Sequence, residues 1–272
     1  YADEKEAKNI LLKHGFNSLD ENFNGNKKNF IPEFFNTKKE NNINAYYLFH
    51  MLGSKTVKCS DVSDYEKPDY IIDLNLPIDK NYYEKFDNIV DAGTLEHIFN
   101  IPQVLDNYSR AIKIGGFIVI STTCSNLIDH GFYSFSPTFF YDYFELNGFK
   151  IEGCFLKEYS PFLFEKKGKI FQYLEQGSEI PFISSKAVEV IVCIKKVKPY
   201  SAQKFPLQYV YKNNKTKNNN LGKNNFKKSK FYKILRKSIL YSLNFLPYFI
   251  EKIVYLFIRG KKIKKVKIND WR

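Results

Sequence analysis

The residues best suited to do chemistry lie in one short stretch, Asp91-Ala92-Gly93-Thr94-Leu95-Glu96-His97, and in His130 further along the chain. The apolar run Asn88-Ile89-Val90 reads as a strand that ends on Asp91 and turns through Ala92 and Gly93. In an open α/β sheet, ligands bind outside the carboxyl ends of the strands, so an acid and a small-residue turn there mark a candidate crevice. His97 and His130 each follow a predicted strand, and histidine is the side chain most often used as a general base near neutral pH. His97 also has a structural reading, in which it steadies the turn through a backbone hydrogen bond. His130, in Asp129-His130-Gly131, sits in a loop able to reach over the site.

Two further acids end predicted strands: Asp61 after Thr56-Val57-Lys58-Cys59-Ser60, and Asp73 after Tyr70-Ile71-Ile72. A carboxylate at a strand end can accept both hydroxyls of a ribose or an amino group of adenine. Asp is also a common turn former, so each acid alone is weak; three on successive strands form a better pattern. Cys124 lies nearby without a paired base in sequence, which leaves nucleophilic catalysis a minor option. None of the four cysteines (Cys59, Cys124, Cys154, Cys193) forms a Cys-x-x-Cys pair, and no metal-ligand spacing is found, so no metal is expected. With no N-terminal signal pattern, a reducing cytoplasmic setting is expected; Tyr1 in place of Met suggests a processed or trimmed chain.

Alternating strands and helices are expected to position these residues. The pattern predicts helices over Asp3–His14 and Ile43–Leu52, then one from Pro102 to Ile112 with Pro at its first turn and a Gly115-Gly116 stop. Phe117-Ile118-Val119-Ile120 reads as a strand covered on both faces. Ser136-Pro137 opens a helix to Leu146, with Asn147-Gly148 as its stop, and strands follow at Phe149–Phe155 and Ala187–Ile194. The connection Leu156–Lys186 reads as loop around a short helix, Ile170–Glu175, and is a candidate substrate lid or a tolerated surface insertion. The expected fold is α/β: a Rossmann-like three-layer sandwich with a mostly parallel sheet and helices on both faces.

The chain divides into an Asn/Lys-rich extension over 1–44, the α/β domain over 45–200 with its insertion at 156–186, a linker over 201–230 and a tail over 231–272. Charge is divided just as unevenly. From Tyr211 to Arg272 there are 18 Lys and Arg against 2 acids, while residues 1–210 hold 24 bases and 27 acids, so the tail carries the whole basic excess of the +13 chain. Phe231, Leu235, Ile239, Leu243 and Leu246 recur at helical spacing, Pro247 interrupts them, and Phe249, Ile250, Ile253, Val254 and Phe257 resume. A spanning helix needs about 20 mostly apolar residues, and here Pro247, Glu251 and Lys252 interrupt the run. A basic amphipathic helical tail lying on an anionic membrane surface fits better. A hairpin packed on the body is the alternative; long Leu/Ile/Phe faces are not what phosphate tracking needs, which disfavours nucleic acid.

Asp73, the strand into Asp91, Leu95-Glu96-His97, the helix ending in Lys113-Ile114-Gly115-Gly116 and the strand from Phe117 together resemble a class I S-adenosylmethionine-dependent methyltransferase over about Ala45–Lys196. Asp91 to Asn100, followed by His130-Gly131-Phe132-Tyr133-Ser134-Phe135-Ser136-Pro137, is similar to a methyltransferase-like group associated with surface-glycan biosynthesis. The resemblance implies S-adenosylmethionine as cofactor, with Asp61 on its ribose, Asp73 and Leu74 framing adenine, and Asp91, Ala92 and Gly93 lining its methionine end. It further implies O-methylation of a sugar or surface-polysaccharide precursor, with a sugar or glycan-lipid partner and a cytoplasmic or inner-membrane-face location. The family's acid followed by Gly-x-Gly has no counterpart upstream of Asp61, where the glycines are Gly15, Gly25 and Gly53. A non-catalytic methyltransferase-like binding protein in glycan biosynthesis is therefore the alternative.

Overall fold

The computed structural model describes residues 4–13, 45–159, 168–173, 182, 184–209, 211 and 263–266. The chain divides into two compact units, Tyr1–Asp73 and Leu74–Arg272.

In the N-terminal unit, α1 (Glu4–Lys13) and α2 (Ala45–Met51) fall on the two predicted helices. Tyr47 and Met51, four residues apart on one face of α2, are buried, and Gly53 at φ 91° closes the helix end as its spacing foretold. The two predicted strands shrink to β1 (Ser60–Asp61) and β2 (Tyr70–Ile71), paired in parallel. Asp69 secures this small sheet, accepting hydrogen bonds from Tyr46 Oη, Lys58 Nζ and the Cys59 N–H, each at 2.8 Å. Desolvation opposes its charge, but those donors, led by Lys58, hold its carboxyl below the ordinary value.

The larger unit is built on a six-stranded sheet. Its elements are β3 (Phe86–Ala92), α3 (Ile101–Ala111), β4 (Ile112–Ser125), α4 (Pro137–Leu146), β5 (Phe149–Tyr159), β6 (Lys169–Tyr173), β7 (Ala187–Lys196) and β8 (Ile263–Val266), in spatial order β3-β4-β7-β5-β6-β8. Only β3 and β4 pair in parallel; every other ladder in this sheet is antiparallel. The sheet is therefore mixed, not mostly parallel as the alternation predicted. The reason is connectivity. Parallel neighbours need a crossover, which α3 supplies between β3 and β4; β7 runs antiparallel between β4 and β5 and imposes no such requirement.

One face of the sheet is closed. Ile118 and Ile120 of β4, Val188, Val190, Val192 and Ile194 of β7, Cys154 and Leu156 of β5 and Phe171 of β6 line it. They pack with Val104, Leu105 and Tyr108 of α3 and Phe140, Tyr143 and Phe144 of α4 in a single cluster. Among the described residues of this unit the helices thus form one layer, where the sandwich reading expected two. The opposite face carries Phe117, Val119, Ile191 and Cys193, all only half-buried, so Phe117–Ile120 is an alternating run, not one covered on both sides.

Other expectations change locally. Gly115 and Gly116 do not stop α3, which ends at Ala111; they lie inside β4 at a register shift, where Phe86 pairs with Ile112 but Asn88 with Phe117. A Cβ on Gly116 would stand 2.6 Å from the Asp87 carbonyl oxygen, so the glycine permits close approach of β3 at a bulge. Of the expected helix Ile170–Glu175, the described residues Ile170–Tyr173 belong instead to strand β6, which pairs with β5 and buries Phe171 in the core. Cys59 lies just before β1 and is exposed, whereas Cys124 lies within β4. Ser136-Pro137 and Asn147-Gly148 bound α4 as predicted, and Asn147 donates to the carbonyls of Tyr143 (2.8 Å) and Lys204 (2.9 Å).

The sheet's amino-terminal pole is sealed by a buried lysine. Lys196, 1% exposed at the end of β7, donates to the carbonyls of Ser109 (3.0 Å) and Ile112 (2.9 Å) and meets Glu84 Oε1 at 3.3 Å. It satisfies carbonyls that the end of α3 leaves open, where a positive group is also favoured by the helix dipole. The amphipathic helices expected in the tail lie outside the described residues, as do 160–167 and 174–181 of the insertion; Ile263–Val266, within the basic tail, forms strand β8 against β6. Among the described residues no helix is long and apolar enough to cross a membrane.

Candidate functional site

At the opposite pole, β3 delivers Asp91 into the protein. Asp91 is 3% exposed, and its carboxylate is engaged locally: Oδ1 accepts from the N–H groups of Thr94 (2.8 Å) and Leu95 (3.4 Å), and Oδ2 from Tyr108 Oη of α3 (2.9 Å). Burial pushes this carboxyl above the ordinary range despite those donors, and burial likewise pushes the Tyr108 hydroxyl well up. Asp91 thus folds the turn, and its side chain faces inward. What the turn offers outward is small: Ala92 is exposed, and Gly93 adopts φ 103°, a conformation that favours glycine.

The chain then makes one short 3-10 turn, Leu95–His97, with Leu95 and Glu96 buried and His97 exposed. Glu96 is 2% exposed. Its Oε2 accepts a 2.5 Å hydrogen bond from Thr122 Oγ1, near the carboxyl end of β4. Its Oε1 faces His130 Nε2 at 3.7 Å, beyond hydrogen-bond length, and a Cβ on Gly93 would stand 3.6 Å from that same oxygen. A buried carboxylate with one oxygen held and the other directed at an exposed imidazole is a poised arrangement.

His130 reaches Glu96 because its loop is fastened to the turn. Asn126, Asp129 and Gly131 all take positive φ (59°, 64° and 84°), which folds the segment tightly after β4. Asn126 donates to the carbonyls of Ser184 (2.7 Å) and Lys186 (2.9 Å). The Phe132 N–H donates to the Glu96 carbonyl at 2.7 Å, Thr123 Oγ1 to the Tyr133 carbonyl at 2.7 Å, and Tyr133 Oη to the Phe99 carbonyl at 3.0 Å. Gly131 lies so close that a Cβ there would stand 2.7 Å from the Glu96 carbonyl oxygen. The rings of His97 and His130 meet edge-on with centroids 5.1 Å apart.

The structure therefore brings together the two predicted catalytic histidines, and adds Glu96 as their buried partner. Glu96 was visible in sequence as the neighbour of His97; its pairing with His130, 34 residues on, had no sequence signal. Beside the trio, Phe99 (70% exposed) and Phe132 (66% exposed) pack at 5.8 Å, an open aromatic pair on the same two loops. Phe135 is buried in the core and Tyr133 is half-buried.

The remaining predicted residues are placed as follows. Asp61 ends β1 and Asp73 lies just beyond β2, neighbouring parallel strands of the N-terminal unit. Asp61 Oδ1 accepts from the Ser63 N–H (2.8 Å) and hydroxyl (3.1 Å), a side-chain-closed turn. Leu74 opens the larger unit, half-buried, and its carbonyl accepts from Asn107 Nδ2 at 3.1 Å. Desolvation pushes the Cys124 thiol up to about 11, which keeps it protonated and a poor nucleophile.

Comparison with known proteins adds little to this picture. No family model matches the chain, and no curated protein matches it. A solved structure from work on the conversion of a disulfide bond into a thioacetal group during echinomycin biosynthesis is similar over 58% of this chain and 66% of that one, at 12% identity and a TM-score of 0.27. Likeness at that level bears on neither fold nor chemistry.

Proposed function

We propose that this protein is an S-adenosylmethionine-dependent methyltransferase that methylates a hydroxyl of a sugar or surface-polysaccharide precursor. The observation that carries the reading is that Gly93 of the strand-end turn and His130 both border Glu96 Oε1. A small-residue turn suited to close approach by a ligand thus lies beside a base candidate and its carboxylate. The Ala92-Gly93 turn fits a cofactor's approach, since one residue is exposed and the other has no side chain. Asp61, Asp73 and Leu74 are assigned to ribose and adenine by the family resemblance alone.

When bound, the cofactor supplies an already activated methyl group, so orientation of the acceptor contributes much of the rate. His130 takes the acceptor hydroxyl's proton on one ring nitrogen, and the Glu96 carboxylate, 3.7 Å from Nε2, stabilises the cation formed. Phe99 and Phe132 give an apolar platform against which a sugar face stacks. The basic tail, 231–272, holds the enzyme at an anionic membrane surface on the cytoplasmic side, where a glycan-lipid acceptor is found.

Titration calorimetry of the full chain with S-adenosylmethionine, or its demethylated product, tests the cofactor. Saturable heat is expected; none at roughly millimolar ligand rejects the reading. A non-catalytic binding protein is the second reading, favoured by the inward-turned Asp91 carboxylate and by the lack of a Gly-x-Gly loop. Under it, Asp61→Ala leaves glycan binding intact; under the first, that change abolishes cofactor binding. For the tail, flotation of the full chain with anionic liposomes is expected to fall when Lys233, Arg236 and Lys237 become Gln, and equal flotation rejects membrane attachment.

A further inference from the structure

We propose that Glu96, His97 and His130 form a binding site for a divalent transition-metal ion of the zinc class. One donor atom from each residue lies within 4.8 Å of the others, and Glu96 Oε1 to His130 Nε2 is already 3.7 Å. Two imidazoles and one carboxylate are a borderline-soft donor set that suits zinc and its neighbours more than magnesium or calcium, which take oxygen ligands. Around a tetrahedral ion with bonds of about 2.0–2.1 Å, ligand atoms stand about 3.3 Å apart. The contraction required falls on the two exposed imidazoles, which rotate among side-chain rotamers, while Glu96 stays fixed.

Three features distinguish this trio from a chance surface cluster. The carboxylate is buried, and a buried anion is costly without a positive partner. Its far oxygen is held by Thr122 at 2.5 Å, the type of supporting hydrogen bond that orients a metal-ligating carboxylate. The His130 loop is fastened to the backbone of Glu96 itself through the Phe132 N–H at 2.7 Å, which keeps the two residues side by side along the chain path. Three protein ligands with the histidine side open to solvent leave a fourth position for water or a substrate hydroxyl, the pattern of a catalytic rather than a structural site. An ion there would lower the pKa of a bound hydroxyl, an alternative to proton removal by a free His130. The inference does not rest on methyl transfer.

Cobalt(II) is the probe. The full chain, stripped with chelator, is titrated with Co²⁺ and followed by its visible absorption bands, then back-titrated with Zn²⁺. One Co²⁺ per chain, displaced by Zn²⁺, is expected. His130→Ala and His97→Ala, at exposed side chains, should each weaken Co²⁺ binding more than tenfold, and Thr122→Val by 10- to 100-fold through the loosened carboxylate. Changing His14 and His50 to Ala should leave the Co²⁺ affinity unaltered. Absence of Co²⁺ bands, or undiminished affinity in His130→Ala, overturns the proposal. If Glu96→Gln fails to fold, the two histidine variants still decide it.

Discussion

Each pole of the β3–β4–β7 sheet buries charged side chains, and Lys196 at one pole and Glu96, beside Asp91, at the other are engaged in opposite ways. At the pole where β4 begins, Lys196 donates to two backbone carbonyls and meets Glu84, so its hydrogen-bonding capacity is used within the fold. At the pole where β3 ends, Glu96 has one oxygen fixed by Thr122 and the other turned toward a half-exposed His130. A closed polar network contributes rigidity; an open one keeps interaction energy in reserve for something that arrives. The difference fits a stabilising role for the first pole and the proposed chemistry for the second.

The strongest way to break that contrast is Lys196→Met. It strands the carbonyls of Ser109 and Ile112 inside the protein, and about 2–3 kcal/mol of stability should be lost in a denaturant titration. A loss under about 0.5 kcal/mol would mean that the lysine is no seal. Gly131→Ala comes next. At φ 84°, with its Cβ 2.7 Å from the Glu96 carbonyl oxygen, alanine should cost about 1–2 kcal/mol and detach the His130 loop, which ring-proton shifts of His130 in NMR would report. Unchanged shifts would place the fastening elsewhere.

Tyr108→Phe removes the hydroxyl that Asp91 Oδ2 accepts and should cost about 1 kcal/mol by thermal melting. Asp91→Asn is the smallest effect and the most specific. Because burial raises the folded-state carboxyl above its unfolded value, the folded state binds the extra proton. Asp91's contribution is therefore full below the ordinary carboxylate pKa and is lost as pH rises through the raised one. The wild-type melting temperature should fall across that window relative to Asp91→Asn; parallel pH curves for the two proteins would contradict it.

Local chemistry was legible in the sequence where the signals were local. Asp91's strand, the Pro-opened α3 and α4, and the Asn147-Gly148 stop follow from residues a few positions apart, and they stand where they were expected. Gly115-Gly116 was misread because a glycine pair after a helix looks the same whether it caps the helix or lets a neighbouring strand approach; only the Asp87 carbonyl distinguishes the two. Ile170–Tyr173 lacked a strand signal because β6 is held by its ladder to β5, a partner that short-range pattern cannot name. The site shows the same division. His97 and His130 were both singled out, yet their meeting at Glu96 depends on a loop folded back by three residues with positive φ.

The position of β8 constrains how the basic tail can be studied. Ile263–Val266 covers the outer edge of β6, so shortening the chain before residue 263 bares a row of unpaired backbone N–H and C=O groups. Such an edge recruits another strand, and the shortened protein should elute from a sizing column as larger, concentration-dependent species. Any loss of surface binding in that protein would then report self-association as much as missing lysines, which is why charge replacement within the intact chain is the cleaner experiment.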